Sequence, residues 1–194
     1  MSQTTEATES LISLILSGGV ASTLIMVLLL IFLIITFYVG IERFLTYRSV
    51  LKELSGSESS MITELSQKAK SVYHKTKSSE KTEKALEQMA GGYVFELERN
   101  TSILATFSGA APMLGFLGTV IGMILAFREM AVSSGQAEIA SLAGGIYTAM
   151  ITTVGGLVVG ILSYIVYNQL AVVLARITKR LEDLSNELLD SLEP

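Results

Sequence analysis

Residues 111–127 read APMLGFLGTVIGMILAF. The stretch carries no charge. It holds three glycines, Gly115, Gly118 and Gly122, and one hydroxyl, Thr119, near its middle. Each glycine inside a helix costs about 1 kcal/mol relative to alanine, because it loses more backbone freedom on folding. A helix here therefore needs a close neighbour to offset that cost. The fold turns on what the neighbour is.

Working outward, residues 20–40, 101–127 and 139–175 contain no Asp, Glu, Lys, Arg or His. A helix needs about 20 apolar residues to cross the hydrocarbon core of a bilayer, so each stretch predicts one span. The third is too short for two spans and a turn, and is read as one span whose helix continues past the bilayer. Half of the 194 residues are hydrophobic and 16% are charged. Soluble domains average about 25% charged, so a buried soluble core of three such helices is disfavoured.

The same composition excludes several functions. A net charge of −4 offers no basic field, so no nucleic acid partner is expected. There is no cysteine, hence no disulfide or thiol chemistry. His74 is the one histidine, so a multi-histidine metal site is out and no cofactor is expected. Residues 1–19 contain Glu6 and Glu9 but no Lys or Arg, unlike the basic start of a cleaved signal. Leu11, Ile12, Leu14, Ile15 and Leu16 fit a short interfacial helix.

Ten of the 14 Lys and Arg residues fall in 42–99. Arg176, Lys179 and Arg180 follow the third stretch, Arg128 follows the second, and none precedes the first. Basic residues favour the cytoplasmic side. The expected layout is 1–19 periplasmic, 20–41 spanning, 42–99 cytoplasmic, 100–128 spanning, 129–138 periplasmic, 139–168 spanning and 169–194 cytoplasmic. Leu51, Leu54, Met61, Leu65, Val72, Leu86 and Met89 form a patchy helical stripe in the inner segment, with breaks near 55–60 and 77–79. Glu64/Lys68 and Glu80/Lys84 stand four apart in the order that favours pairing. Leu170, Val173, Leu174, Ile177, Leu181, Leu184 and Leu188 continue the third span as an amphipathic helix.

Helical spacing puts Gly115, Gly118, Thr119, Gly122 and Ala126 on one face of the second span. It does the same for Gly145, Ala149, Thr153, Gly156, Gly160 and Ser163 on the third. Small residues four apart let membrane helices approach closely, so Gly118/Gly122 and Gly156/Gly160 predict tight packing of one span on the other. The hydroxyls leave two readings open. Thr119, Thr148, Thr152 and Thr153 can each bond a carbonyl one turn back, or four at similar depth can line a polar lumen. With no ionisable side chain inside a span, the chain cannot relay protons by its own titration. Ser108 and Ser163 have no His or Lys base within the membrane, so an enzyme is not expected.

The motif Ala111-Pro112-x-Leu114-Gly115-x-x-Gly118-Thr119-Val120-x-Gly122-Met123 resembles the second span of the MotA/TolQ/ExbB family. Gly145-Ile146-x-x-Ala149-x-x-x-Thr153-x-x-Gly156-Leu157, followed by Tyr167-Asn168, resembles the third. The likeness covers about 101–175 and leans to the ExbB/TolQ side, since MotA-type subunits are longer and have four spans. It implies an all-α membrane protein with three transmembrane helices and long cytoplasmic helical extensions, forming a five-fold homo-oligomeric ring in the bacterial inner membrane. It further implies an ExbD/TolR-like single-span partner whose Asp carries the proton, opposite Thr119 and Thr153, and a TonB/TolA-like transducer that receives the force. Membrane lipid surrounds the ring. Two departures stand out. Thr148 replaces a Glu common in the family, and Ile161-Leu162 replaces Ile-Pro, which removes a kink. A structural scaffold without ion flux is the alternative reading.

Overall fold

The structure is a computed structural model that describes residues 19–54, 60–132 and 139–192. The proposed interfacial segment at 11–16 and most of the 129–138 loop lie outside the described residues. Among the described residues five helices follow in order: α1 Gly19–Leu54, α2 Ser60–Thr76, α3 Ser79–Glu98, α4 Ser102–Val132 and α5 Ile139–Asp190. No strand occurs among the described residues. The predicted break near 77–79 separates α2 from α3, and the one near 55–60 falls almost wholly outside the described residues. The third stretch and the amphipathic stripe after it form one helix of 52 residues. Three helical stretches are long and apolar enough to cross a membrane.

The chain divides into two compact units. The first takes residues up to 37 and 104–165, and is organised inside out. Ser22, Thr36, Thr148, Thr152 and Ser163 are buried, whereas Leu24, Ile34, Phe116, Ile124, Val154 and Ile161 are exposed. Water would reject that arrangement, and lipid accepts it, because apolar tails are as good a solvent for Leu as a protein core. Ile25, Leu29, Ala111 and Val159 form a small apolar core with Phe32 and Leu114 packed against it. Phe32 stacks on Phe107 with ring centroids 4.0 Å apart. Thr36 and Ser163 share a buried 2.8 Å hydroxyl–hydroxyl bond between α1 and α5. α1 therefore turns one face to lipid and the other to α4 and α5.

The second unit takes 38–103 and residues from 166 onward, and has an ordinary apolar inside. Tyr47, Leu54, Leu65, Leu86, Ile177 and Leu181 are fully buried. α2 and α3 form a hairpin. Its turn holds Lys77 in the left-handed region at φ 50, and the Ser78 hydroxyl accepts from the Lys81 amide to start α3. The Tyr47 hydroxyl and the Arg43 guanidinium both donate to the Leu97 carbonyl, at 3.0 and 3.5 Å. A cation at the carbonyl end of α3 also suits the helix dipole. Glu80 pairs with Lys84 at 2.8 Å, as spacing predicts. Glu64 has a different partner, since the hairpin brings Tyr93 to it and the phenol donates at 2.6 Å.

That bond, aided by partial burial and the nearby charge, pushes the Tyr93 pKa up to about 12. The folded value lies above the usual 10, so the bond's contribution to the hairpin is full below about pH 10 and is lost as pH rises through about 12. An ultraviolet tyrosinate titration is expected to show one tyrosine, ionising near 12 in the wild type, moving down towards 10 in Glu64→Gln. An unchanged titration would rule the pairing out.

Candidate functional site

The neighbour that the glycines of 111–127 require is α5. At Gly115, an added Cβ would lie 2.7 Å from the Thr152 carbonyl oxygen and 3.0 Å from the Gly156 Cα. At Gly156 it would meet the Ala111 carbonyl oxygen at 2.5 Å and the Gly115 Cα at 2.8 Å. These obstacles are backbone, which cannot swing aside. The two helices touch main chain to main chain at this level, the closest approach that small residues permit. Either side of it, Gly118 faces Thr152, Gly122 faces Ala149, and Gly145 faces Ala126.

Pro112 and Gly160 form one end of the same contact. Pro112 sits inside α4. A proline within a helix has no N–H for the carbonyl four residues back and crowds it. A Cβ on Gly160 would stand 2.6 Å from the Pro112 ring and 3.1 Å from the Ser108 carbonyl oxygen. Glycine at 160 thus makes room for the proline ring and its displaced carbonyl. Ser108 turns its own hydroxyl onto the Ala105 carbonyl at 2.8 Å.

The close approach decides where the threonines go. The Thr119 and Thr153 hydroxyls bond each other directly across the two helices. Thr119 also reaches the Ala149 carbonyl at 3.0 Å, and Thr153 reaches the Gly115 carbonyl at 3.2 Å. Both residues are half-buried. Thr152 is buried and donates to the Ala149 and Gly115 carbonyls, at 2.7 and 3.2 Å. Thr148 is buried as well and donates to Gly144 on its own helix at 2.9 Å. Of the four threonines, Thr119 and Thr153 are brought together as a pair. Thr152 lies beside them within the helix contact, and Thr148 is satisfied one turn away.

Proton counting gives the pair its chemistry. A hydroxyl donates one proton and accepts up to two. Thr119 and Thr153 hold two protons between them, but their contact to each other, those of Thr119 to the Ala149 and Gly115 carbonyls and that of Thr153 to the Gly115 carbonyl ask for four. One oxygen always keeps a lone pair unserved, and the arrangement can switch by rotating a hydroxyl. Such a pair can accept from a carboxylic acid or donate to a carboxylate, without carrying charge itself. Among the described residues no group of three or more Asp, Glu or His side chains is placed to hold a metal ion.

The buried Thr36–Ser163 bond is a polar feature that the motifs did not flag. Each is a lone hydroxyl in an apolar run, and nothing local in the sequence pairs them.

Residues 54–183 match the family model described as the MotA/TolQ/ExbB proton channel family. A biopolymer transport protein ExbB homologue of Methanothermobacter thermautotrophicus is 38% identical over 101 residues, covering 52% of this chain and 33% of that protein. The biopolymer transport protein ExbB of Helicobacter pylori is 37% identical over 75 residues, covering 39% of this chain and 51% of that one. The Tol-Pal system protein TolQ of Pseudomonas aeruginosa is 39% identical over 74 residues, covering 38% and 32%. The chain thus spans about a third to a half of the length of these relatives.

Gly156→Ala is expected to destabilise the α4–α5 pair by about 1–3 kcal/mol, the usual range for forcing extra volume into a packed interior. Gly109→Ala, whose Cβ would meet nothing within 4 Å, is expected to be harmless to the chain's own packing. Thermal unfolding in mild detergent compares the two. Equal melting temperatures would contradict the backbone contact.

Proposed function

The chain belongs to the MotA/TolQ/ExbB proton channel family, and from that premise we propose that it is the ring subunit of an ion-driven energiser of the inner membrane, of the ExbB–ExbD or TolQ–TolR type. The observation that carries the reading is the Thr119–Thr153 hydroxyl pair, half-buried within two uncharged helices. In this reading five copies surround the single helices of an ExbD/TolR-like partner. The partner supplies the Asp that takes up and releases the proton. The hydroxyl pair meets that Asp in both of its protonation states. The neutral acid donates to an unserved Thr oxygen, and the carboxylate accepts when a Thr proton turns away from its carbonyl. A fixed positive charge at this level would trap the carboxylate. A fixed negative charge would repel it and raise its pKa. Force then passes to a TonB/TolA-like transducer. The transported ion is H⁺, the N-terminus is periplasmic and the C-terminus cytoplasmic. The chain acts as a channel component and not as an enzyme.

A scaffold without ion flux remains the second reading. It is favoured by the carbonyl partners that Thr119 and Thr153 already have within the helix pair. The two readings part on Thr→Val, which keeps shape and removes both hydrogen-bonding functions. In the motor, Thr119→Val and Thr153→Val each lose on the order of 1 kcal/mol per contact, compounded if the ring acts as a unit. Ion-driven work then falls sharply while partner pull-down persists, and Thr→Ser is mild. Full activity of both Val variants would favour the scaffold. Proton flux through the reconstituted complex decides the case if assembly fails.

Topology is tested separately on this cysteine-free chain. A cysteine at position 134 is expected to react with an impermeant thiol reagent in cells with a permeabilised outer membrane, and one at position 71 is not. The reverse pattern would invert the layout.

A further inference from the structure

The second unit carries a groove of about 590 Å³ between α3 and α5. Its floor is apolar, with Ala90, Val94, Leu181 and Leu189, and its walls carry Glu83, Glu87, Glu98 and Glu182. No basic side chain lines it. Among the described residues the ion pairs are Arg43–Glu42 and Lys84–Glu80, so these four carboxylates have no ionic partner there. A second observation concerns the wall of α3. Gly91 lines the groove, and a Cβ at Gly91 or at Gly92 would find nothing within 4 Å. Two adjacent glycines inside a helix cost about 1 kcal/mol each relative to alanine. The chain's own packing does not account for them, in contrast to Gly115 and Gly156. They leave space for something else to approach, and the four exposed carboxylates favour a cationic surface there.

The same unit holds such a surface. Lys68 and Lys75 stand seven residues apart on one side of α2, two turns of helix, and both are exposed. Lys68 borders a second hollow with Glu64, Val72, Ala85 and Met89, on a different face of α3 from the groove, and Glu64 there is engaged by the Tyr93 hydroxyl. We propose that the acidic groove between α3 and α5 receives the Lys68–Lys75 side of α2 from a second copy of this chain. Because the two surfaces are different patches of one molecule, the contact is head to tail. A head-to-tail contact propagates from copy to copy and closes as a ring where its rotation allows, whereas a two-fold contact stops at a dimer. The inference rests on the ring reading and assigns the surface that joins its neighbours outside the membrane.

The test uses two tagged versions of the full-length chain, one carrying only Glu182→Cys and the other only Lys68→Cys. They are co-expressed and oxidised in native membranes. The expected product is a disulfide between the two tags, with little product joining like tags. Adding Gly91→Leu to the first chain should reduce that product at least several-fold. Glu83→Lys with Glu87→Lys should abolish it, and Lys68→Glu with Lys75→Glu in the neighbour should restore oligomer yield in the cysteine-free background. Native mass spectrometry of the wild type runs alongside. An intact oligomer without the mixed disulfide, or with like-tag products in its place, would overturn the groove assignment and leave the ring standing. Capture of a different protein at position 182 would overturn it equally. A monomer in native mass spectrometry would instead overturn the ring.

Discussion

The main-chain contact between α4 and α5 at Gly115 and Gly156 is the constraint from which the rest of the first unit follows. With backbone against backbone, the hydroxyls of Thr119 and Thr153 meet each other, and the Gly115 carbonyl becomes their common neighbour. A methyl group at either glycine would separate the helices, and the hydroxyls with them. Pro112 and Gly160 apply the same logic one turn or so away, where a ring that cannot donate meets a residue that takes no room. The glycines and threonines of the sequence motif are therefore one device. The first set the distance, and the second use it.

The inside-out burial of that unit has a chemical counterpart. Polar side chains lie between the helices, where Thr36, Thr148, Thr152 and Ser163 each find a hydroxyl or carbonyl and Ser22 finds none, and apolar ones face outward. The choice of hydroxyls over carboxylates or amines lets the helices insert at low cost, since a neutral group that can bond its own backbone carries almost no penalty in lipid. It also means that these spans bring no Asp, Glu, Lys, Arg or His of their own into the helix contact. Thr148 adds no free donor there, because its hydroxyl is spent on its own helix.

Much of this was legible in the sequence, for identifiable reasons. Uncharged runs of spanning length fixed three helices, and the small residues recur at a period that picks out one face of each span. The break around Lys77 falls where a polar stretch interrupts the apolar stripe. What escaped were contacts between residues far apart in sequence and chemically ordinary: Thr36 with Ser163, Tyr93 with Glu64, and Arg43 and Tyr47 on the Leu97 carbonyl. Each depends on the relative rotation of two helices, which periodicity leaves free. The separate fates of Thr152 and Thr153 were hidden for a related reason. Neighbours in a helix point about 100° apart, and only the position of α4 decides which one lies in the seam and which at its edge.

The uncharged interior also has an electrical meaning. A potential of 100 mV across a membrane does about 2.3 kcal/mol of work on each elementary charge carried fully across it. Between residues 101 and 127, and again between 139 and 175, the chain offers that field no formal charge to act on. The voltage can therefore act on these helices only through their backbone dipoles, which run in opposite directions in the α4–α5 pair. Any charge that moved beside α4 and α5 would meet a wall with no formal charge of its own.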